Sequence, residues 1–336
     1  MYYKSVDKTF ELVCVGNAKI DVFLLINEVN GSVRLNENNE LCFKHGEKIP
    51  VKSCGFLLGG SACNASVGFS RLGLKTALVA EIGNDEFSQK IAGDLSKENI
   101  NLDFLKKDQN SQSSFTIALD FKDERTLLNQ HVLRKHDFNF NFETKWIYLA
   151  GLGEEWKDAY KKVLQKVKDE NLKLAFNPGT PQFVGGVKSF IDILERTDIL
   201  FVNKEEAACL AGTNSKPEEN KSFIKTLLIK IKQMGSKTIV ITDGENGSYV
   251  IDENDKSYSL GIFPSNVVQK TGAGDAYASG FISATISGLS IKESMRWGSA
   301  NAAGVIEKAG AQAGLLIKEE MERKLEENKN IKAEEI

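Results

Sequence analysis

The stretch Lys270-Thr-Gly-Ala-Gly-Asp-Ala-Tyr-Ala-Ser-Gly-Phe281 says more about this chain than any other part of its sequence. Gly272 and Gly274 give its first half the flexibility of a turn, and the small and apolar residues that follow have helical spacing. A glycine turn that enters a helix leaves the first backbone N–H groups unpaired at the positive end of the helix dipole. Phosphate is the natural occupant of such a place. The stretch therefore predicts a phosphate site at the start of a helix.

Asp275 is an unexpected residue for a simple anion site, because its carboxylate would repel a phosphate. A carboxylate has a use there if it accepts the proton of a hydroxyl group that attacks the phosphate. The other interpretation is that Asp275 only caps the helix after the glycine turn. This stretch alone leaves both interpretations open.

A second motif is Gly59-Gly-Ser-Ala-Cys-Asn-Ala-Ser66. The paired glycines Gly59 and Gly60 allow the backbone to approach a ligand closely, and Asn64 offers an amide to hydroxyl groups. The alternative interpretation is an ordinary helix start with a face of small packing residues.

A third candidate is Asp21, which ends the segment Val15-Gly-Asn-Ala-Lys-Ile-Asp21 after the first predicted strand. Ligands of open α/β sheets bind at the carboxyl ends of the strands, which is where this aspartate would lie. A single aspartate at that place is also a common turn residue, so its role stays open here.

The rest of the chain alternates between short apolar runs and amphipathic stretches. Short runs rich in Val, Ile or aromatic residues predict strands that are buried on both faces. These strands cover residues 12–15, 77–80, 146–149, 173–176, 199–202 and 238–241. Helices are predicted at residues 62–71, 87–98, 155–169, 188–195, 204–211 and 222–233. The alternation predicts an α/β fold with a mainly parallel central sheet flanked by helices on both faces.

Two segments interrupt this alternation, at about residues 22–56 and 112–134. They carry short apolar runs and polar turns, which are typical of β-hairpins. The predicted short strands are 22–26, 33–35, 41–43, 49–51, 114–121 and 126–132. We expect them to form a small β-sheet that serves as a lid over the active edge of the main sheet. The last segment, residues 318–336, predicts a solvated helix that frays.

The composition is that of a single globular domain over residues 1–336, and it excludes a disordered chain or a coiled coil. Forty-three basic and 46 acidic side chains give a net charge of −3, which favours neither nucleic acid nor an anionic membrane as a partner. No run approaches the about 18 apolar residues of a membrane helix, and residues 1–12 lack the apolar core of a secretory signal. The five cysteines include no C-x-x-C pair, so we expect reduced thiols in a cytoplasmic protein that binds a small molecule.

Taken together and in this order, the three motifs resemble the phosphofructokinase B family, the ribokinase-like sugar and nucleoside kinases. The resemblance runs from about residue 11 to residue 317 and includes four further stretches. They are Ala80-Glu-Ile-Gly-Asn-Asp-Glu-Phe87, Glu124-Arg-Thr126, Asn203-Lys-Glu-Glu206, and Thr242-Asp-Gly244 with Gly247. The resemblance implies a ribokinase-like fold. It also implies an enzyme that moves the terminal phosphoryl group of ATP to a hydroxyl group of a sugar or sugar derivative.

The resemblance also implies a role for each matching residue. Asp275 would be the general base, and the anion hole would be formed by the backbone N–H groups of Gly272, Ala273 and Gly274. The acceptor would be held by Asp21, Gly59, Gly60 and Asn64. The nucleotide would be bound by Thr242, Gly244, Gly247 and Thr271. Mg²⁺ would be bound, largely through water, by Asn203 and Glu206.

One position departs from the family pattern. Gln269 stands where many relatives have an aspartate that helps to hold a monovalent cation. A neutral glutamine makes a dependence on potassium doubtful, and Lys270 is then the alternative source of positive charge.

The segment His-Val-Leu-Arg-Lys-His at residues 131–136, in and just after the second lid hairpin, has two interpretations. It is either a solvated polar turn or a group of cations that meets a phosphate already present on the acceptor.

Two further functions remain open from the sequence. One is a nucleoside kinase of the same family, and the other is a non-catalytic regulator that binds a sugar or a nucleotide. Asp275 favours an enzyme, because a pure binding protein does not need a base that faces a phosphate site. No G-x-G-x-x-G follows the first strand, which excludes a dinucleotide-dependent oxidoreductase. Lids of this family can pair between subunits, so a homodimer through the lid is also expected.

Overall fold

The structure is a computed structural model that describes residues 8–27, 31–122, 124–213 and 221–336. Its strands are β1 (Thr9–Val15), β2 (Lys19–Leu25), β3 (Val33–Leu35), β4 (Leu41–Phe43), β5 (Ser53–Gly59), β6 (Thr76–Ile82), β7 (Leu105–Lys107), β8 (Phe115–Phe121), β9 (Glu124–Gln130), β10 (Glu143–Ala150), β11 (Lys173–Asn177), β12 (Ile199–Asn203), β13 (Thr238–Thr242), β14 (Ser248–Ile251), β15 (Ser257–Leu260) and β16 (Glu334–Glu335). Its helices are α1 (Ser61–Arg71), α2 (Glu86–Ser96), α3 (Trp156–Asp169), α4 (Thr180–Val184), α5 (Ile191–Arg196), α6 (Lys204–Leu210), α7 (Lys221–Lys232), α8 (Ala273–Ile286), α9 (Ile291–Val305) and α10 (Lys318–Glu327). Within these ranges, no helix is both long and apolar enough to cross a membrane.

Ten strands form the central sheet, in the order β16-β15-β14-β13-β12-β11-β10-β1-β6-β7. The strands from β13 to β7 in this order are parallel to their neighbours, and β14, β15 and β16 pair antiparallel. Helices cover both faces of the sheet. Phe69 of α1 and Phe281 of α8 are buried on one face, and Tyr160 of α3 and Leu227 of α7 on the other. The predicted α/β fold with a mainly parallel sheet is confirmed. Its apolar strands are buried on both faces, which requires helices on both sides of the sheet.

A second, smaller sheet has the strand order β5-β2-β8-β9, and β3 and β4 form a separate hairpin. The strand predicted at residues 49–51 is wrong, because the chain becomes a strand only at Ser53. Strand β5 pairs antiparallel with β2, and the register joins Ser53 to Leu25 and Gly59 to Lys19. This pairing carries β5 directly into the glycine motif that precedes α1.

Strand β9 begins two residues earlier than predicted, at Glu124 instead of residue 126. Its register with β8 places Arg125 opposite Asp120, and the two side chains form an ion pair of 2.6 Å. The predicted polar turn at 122–125 includes Asp123, which lies outside the described residues.

The carboxyl-terminal segment also differs from the prediction, because helix α10 ends at Glu327. The last residues extend the central sheet: β16 pairs with β15, and the backbone N–H of Ile336 donates to the carbonyl oxygen of Ser257 over 2.9 Å. Lys225 Nζ donates to the carbonyl oxygen of Ile336 over 2.9 Å. The partner strand is distant in sequence, so local periodicity could not predict this pairing.

Candidate active site

Helix α8 begins with a turn that only glycine can form. Gly272 is the N-cap residue, and its φ of 79° lies in the left-handed region. A Cβ atom at Gly272 would lie 2.5 Å from the Cβ of Ala311. In the described part of the chain no side chain caps this helix. The backbone N–H of Ala273 makes a long hydrogen bond of 3.4 Å to the carbonyl oxygen of Lys270, which an anion at the helix start can replace. Asp275 is the third residue of α8 and does not cap it, so the capping interpretation of Asp275 is wrong.

The carboxylate of Asp275 lies next to the second motif. Asn64 Nδ2 donates a hydrogen bond to Asp275 Oδ2 over 2.8 Å. Burial raises the pKa of Asp275, hydrogen bonds from Asn64 and Ser61 oppose the rise, and the charge of Asp21 adds to it. A carboxylate with a raised pKa accepts a proton more readily at neutral pH than an exposed aspartate does.

Asp21 lies on β2 at the same place, and it is buried with 9% of its surface exposed. Its Oδ1 atom has no hydrogen-bond partner among the described residues, and the nearest cation is Lys19 Nζ at 3.8 Å. A Cβ atom at Gly59 would overlap the Asp21 carboxylate, which explains the glycine. Burial raises the pKa of Asp21, and Lys19 opposes the rise. The structure therefore brings the residues of all three motifs together.

A cavity of about 810 Å³ opens on the other side of the glycine turn. Ala273 and Gly274 line it together with Thr242, Gly244 and Gly247, the nucleotide loop of the sequence analysis. Most of the remaining wall is apolar and comes from Ile262, Phe263, Pro264, Val267, Ala302, Ala303 and Ile306. No sequence signal marks these wall residues, because apolar residues outside a motif look like ordinary core. The exposure of Val267, 54%, becomes visible only in the structure.

The loop between β13 and β14 depends on a second glycine with a positive φ. Gly247 has φ 87°, and a Cβ atom there would overlap the carbonyl oxygen of Leu260. The Gly247 carbonyl oxygen accepts from the backbone N–H of Asp243 over 2.8 Å. Asp243 forms a nearly buried ion pair of 2.7 Å with Lys204 at the start of α6. The nucleotide loop is therefore fixed both by its own backbone and by a neighbouring helix.

Asn203 and Glu206, the two residues expected near Mg²⁺, form a capping box at the start of α6. Asn203 Oδ1 accepts from the backbone N–H of Glu206 over 2.8 Å, and Glu206 Oε2 accepts from the backbone N–H of Asn203 over 2.9 Å. Burial raises the pKa of Glu206, and the charges of Glu205 and Asp275 add to the rise. The described residues include no group of three or more His, Cys, Asp or Glu side chains arranged to hold a metal.

Three polar residues of the small sheet reach the site: Arg125, Lys19 and Thr116. No role in the site was predicted for them. Arg125 donates to Thr271 Oγ1, beside the glycine turn, and its guanidinium lies 5.4 Å from the ring centre of Phe23. Lys19 Nζ donates to Thr116 Oγ1 over 2.6 Å. Alternation along a strand could have indicated Lys19, because it shares a face with Asp21.

The segment at residues 131–136 is only partly solvated: His131, Leu133 and Lys135 are exposed, and two of the charged or polar side chains are buried. Arg134 has 6% of its surface exposed, donates to Ser111 Oγ over 2.6 Å and also bonds the carbonyl oxygen of Gln112. His136 is 4% exposed. Arg134 therefore holds the loop before β8 and is not available to a phosphate on the acceptor. For the exposed His131 and Lys135, a contact with such a phosphate stays a prediction.

The position that departs from the family pattern is occupied by a buried hydrogen bond. Gln269 is 6% exposed, and its Oε1 accepts from the backbone N–H of Gly310. The side chain of Lys270 is 71% exposed and pairs with Glu245 at 2.9 Å, at the rim of the cavity.

Solved structures share this architecture. One is the ribokinase of Arabidopsis thaliana complexed with ribose and ATP, with a TM-score of 0.76, 21% identity and coverage of 94% of this chain and 99% of that chain. Another is the nucleoside kinase of Methanocaldococcus jannaschii, with a TM-score of 0.74, 22% identity and coverage of 96% and 100%. The fold is therefore the ribokinase-like α/β fold, as predicted, and this is the fold of a class of small-molecule kinases.

The chain belongs to the pfkB family of carbohydrate kinases, whose family model matches residues 13–318. Among curated proteins it is similar to the 5-dehydro-2-deoxygluconokinase of Clostridium perfringens, with 26% identity over 264 residues, 73% of this chain and 77% of that protein. The enzyme of the same name from Halalkalibacterium halodurans is 25% identical over 350 residues. This alignment includes 98% of this chain and 98% of that protein. The predicted class, a carbohydrate kinase, is confirmed.

Proposed function

We propose that this protein transfers the terminal phosphoryl group of ATP to a hydroxyl group of a sugar or sugar derivative. One observation carries the proposal: the first turn of α8 separates two different environments. Asp275 lies on one side with Asp21 and Asn64, and Ala273 and Gly274 line a large cavity on the other. An alcohol and a nucleotide would therefore meet at a single anion-binding helix start.

In this proposal the acceptor lies against β2 and the start of α1. Asp21 Oδ1, which lacks a hydrogen-bond partner among the described residues, would accept from one acceptor hydroxyl. Asn64 would orient another hydroxyl. Gly59 and Gly60 would contribute through their backbone, because a Cβ atom at either would overlap Asp21 or the carbonyl oxygen of Asn17. Asp275 would first orient the attacking hydroxyl and then take its proton as the oxygen–phosphorus bond forms.

The phosphoryl group would be stabilised by the backbone rather than by side chains. The N–H groups of residues 272–275 lie at the start of α8, where the helix dipole favours negative charge, and they would donate to the phosphoryl oxygens. ATP would occupy the cavity beyond this turn, with Thr242, Gly244 and Gly247 along its phosphates and Thr271 at the turn. The apolar wall of that cavity suits an adenine base.

Asn203 and Glu206 fit a site for Mg²⁺ that is bound mainly through water. Their capping box fixes them where β12 ends and α6 begins. Burial raises the pKa of Glu206 and the charges of Glu205 and Asp275 add to the rise, so a nearby cation would favour the ionised carboxylate. Mg²⁺ keeps several waters and uses one or two carboxylates plus substrate phosphates. When bound, it would neutralise charge on the phosphates of the nucleotide.

We propose further that turnover does not depend on potassium. The amide of Gln269 already bridges to the backbone of Gly310 and adds no charge, so the loop beside the anion hole is held by a hydrogen bond. Rates in potassium chloride and in choline chloride at equal ionic strength should therefore agree. A strict requirement for potassium would contradict this part of the proposal.

The two remaining functions are separated by a ligand screen. The acceptors tested first are 5-dehydro-2-deoxygluconate and ribose, which the names of the relatives suggest, and then nucleosides. A ligand at ten or more times its Kd raises the melting temperature measurably. Stabilisation by nucleosides alone would favour a nucleoside kinase, and stabilisation without any turnover of ATP would favour a regulator.

Asp275→Asn tests the enzyme directly. We expect ATP turnover with the best acceptor to fall at least about 100-fold, because the amide cannot take the proton, while ligand-induced stabilisation persists. Asp158→Asn on the exposed face of α3 is the matched control and should keep full activity. Undiminished turnover in Asp275→Asn would remove the proposed mechanism.

We propose that the small sheet is a lid, formed by the insertions at about residues 22–56 and 112–134 of a single domain over residues 1–336. The contact from Arg125 to Thr271 supports this, because it joins the small sheet to the anion turn. The small sheet also exposes apolar side chains, with 46% of Phe56, 54% of Leu127 and 51% of Leu128 accessible. Such a surface suits pairing with a second copy. Light scattering on the wild type and on Leu128→Lys would test for a dimer, and a monomeric wild type would contradict it.

A further inference from the structure

Gln312 lies in the loop between α9 and α10 and connects both ends of α1. Its Nε2 donates to Asn64 Oδ1 over 2.9 Å, and its carbonyl oxygen accepts from Arg71 NH1 over 2.8 Å. Asn64 and Arg71 are seven residues apart, which is about two helical turns, so both lie on the same face of α1. Arg71 is itself held by Glu98, at 2.6 Å and 2.8 Å. The position of Gln312 is therefore fixed by its backbone as well as by its side chain.

The contact from Gln312 decides which way the amide of Asn64 points. Asn64 Oδ1 faces Gln312, and Asn64 Nδ2 faces Asp275 Oδ2 at 2.8 Å. An asparagine amide can turn over with little change in shape, which exchanges its acceptor and its donor. In the turned state two acceptors, Asn64 Oδ1 and Asp275 Oδ2, would face each other. A donor at Gln312 makes that state unfavourable.

We propose that Gln312 is a positioning residue for the phosphotransfer: it fixes the amide of Asn64 so that its donor faces Asp275 and keeps that carboxylate ionised and aligned. This inference rests on the proposed function of Asp275. Gln312 acts only through Asn64 and does not touch the reacting atoms. Asn64 thus has two tasks, because it holds the acceptor and also sets the state of the base.

Gln312→Ala and the isosteric Gln312→Glu test the proposal, with ATP and the acceptor that gives the best turnover in the screen. Gln312→Ala should lower kcat about tenfold, which is the upper end of what one neutral hydrogen bond contributes. The acidic limb of the pH profile of kcat/KM should move to higher pH, because the hydrogen bond that lowers the pKa of Asp275 is weakened. Gln312→Glu should lose more, because its carboxylate attracts Asn64 Nδ2 away from Asp275. Gln89→Ala, an exposed glutamine on α2, is the matched control.

A double-mutant cycle separates positioning from a merely structural role. If Gln312 acts through Asn64, then Gln312→Ala should have almost no further effect on kcat in an Asn64→Ala background. Independent, additive losses would overturn the proposal, and so would an acidic limb that stays in place in both Gln312 variants. Urea unfolding of each variant checks that the fold is retained, and the shape-conserving Gln312→Glu remains informative if Gln312→Ala is unstable.

The outcome for Asp275→Asn distinguishes a failure of the proposed function from a failure of the proposed role of Gln312. Full activity in Asp275→Asn would refute the proposed function itself. Loss of activity in Asp275→Asn, combined with an unshifted pH profile in both Gln312 variants, would refute the role of Gln312 alone.

Discussion

The ion pair between Lys204 and Asp243 gives the sharpest energetic prediction. Lys204 Nζ lies 2.7 Å from Asp243 Oδ1, and only 9% and 11% of the two side chains are exposed. Replacing Lys204 by Met removes the cation and leaves the Asp243 carboxylate almost fully buried, with Asn246 Nδ2 at 3.2 Å as a remaining donor. Breaking one side of a buried pair costs about 3–5 kcal/mol. Because some exposure remains, we expect Lys204→Met to lower the free energy of unfolding by about 3 kcal/mol.

The same change should weaken nucleotide binding, because Asp243 opens the loop that ends at Gly247. We expect the Kd of ATP to rise about tenfold, because the loop is less well ordered. This corresponds to a loss of about 1.4 kcal/mol of binding free energy. Urea denaturation and calorimetric titration with ATP would measure the two effects. In Lys204→Met/Asp243→Asn no buried charge remains, so part of the lost stability should return.

Lys329→Met is the matched control, because Lys329 forms an exposed pair with Glu326 at 3.2 Å. It should leave the free energy of unfolding nearly unchanged. A loss of less than about 1 kcal/mol in Lys204→Met, the value of an exposed pair, would show that the pair is not desolvated. The same conclusion would follow if the losses of Lys204→Met and of Asp243→Asn simply add in the double variant.

The remaining predictions concern a histidine and a glycine. Burial, followed by the charge of Arg134, lowers the pKa of His136 from 6.5 to about 4, and neither ring nitrogen has a hydrogen-bond partner among the described residues. His136 therefore binds a proton near pH 6.5 in the unfolded chain but only near pH 4 in the folded chain. The free energy of unfolding is unaffected by this group above about pH 6.5, and it falls by up to about 3 kcal/mol as the pH drops from 6.5 to about 4. His136→Asn, which tolerates the positive φ of 48°, should lose less stability on acidification in urea titrations; equal losses would contradict the assignment. Gly247→Ala should lower the free energy of unfolding by about 2 kcal/mol or more and weaken ATP binding, because φ is positive and a Cβ atom overlaps the Leu260 carbonyl oxygen; calorimetry would detect both effects, and a wild-type melting temperature would contradict the clash.

Much of the main sheet could be predicted because its elements carry their own pattern. The apolar runs that became β1, β12 and β13 are as long as a strand, and amphipathic stretches or turn residues bound them. Strands β14 and β15 follow a nucleotide loop and contain tyrosines and serines, so they were missed. Their pairing with β13 and with each other, rather than their composition, makes them strands.

The candidate site was predictable to the extent that it consists of motifs. The glycine turn before α8 needs a left-handed residue, and Gly272 supplies it at the predicted place. The roles assigned to Asp275 and Asn64 stay predictions until the variants are measured. Gln312 belongs to no motif, and Arg125 lies in a matching stretch that predicts only a lid strand. Their contacts exist only because the fold brings them to Asn64 and Thr271.

The sequence by itself determined the local conformations: where helices begin, where the chain must turn with a positive φ, and which runs need burial. These follow from the steric and hydrophobic properties of residues that are neighbours along the chain. Only the tertiary structure decided that β5 begins at Ser53, that the last residues add β16 to the sheet, and that Gln312 meets Asn64. Each of these depends on a partner far away in sequence. The contact stabilises the chain only once the intervening loop has closed, so local sequence cannot indicate it.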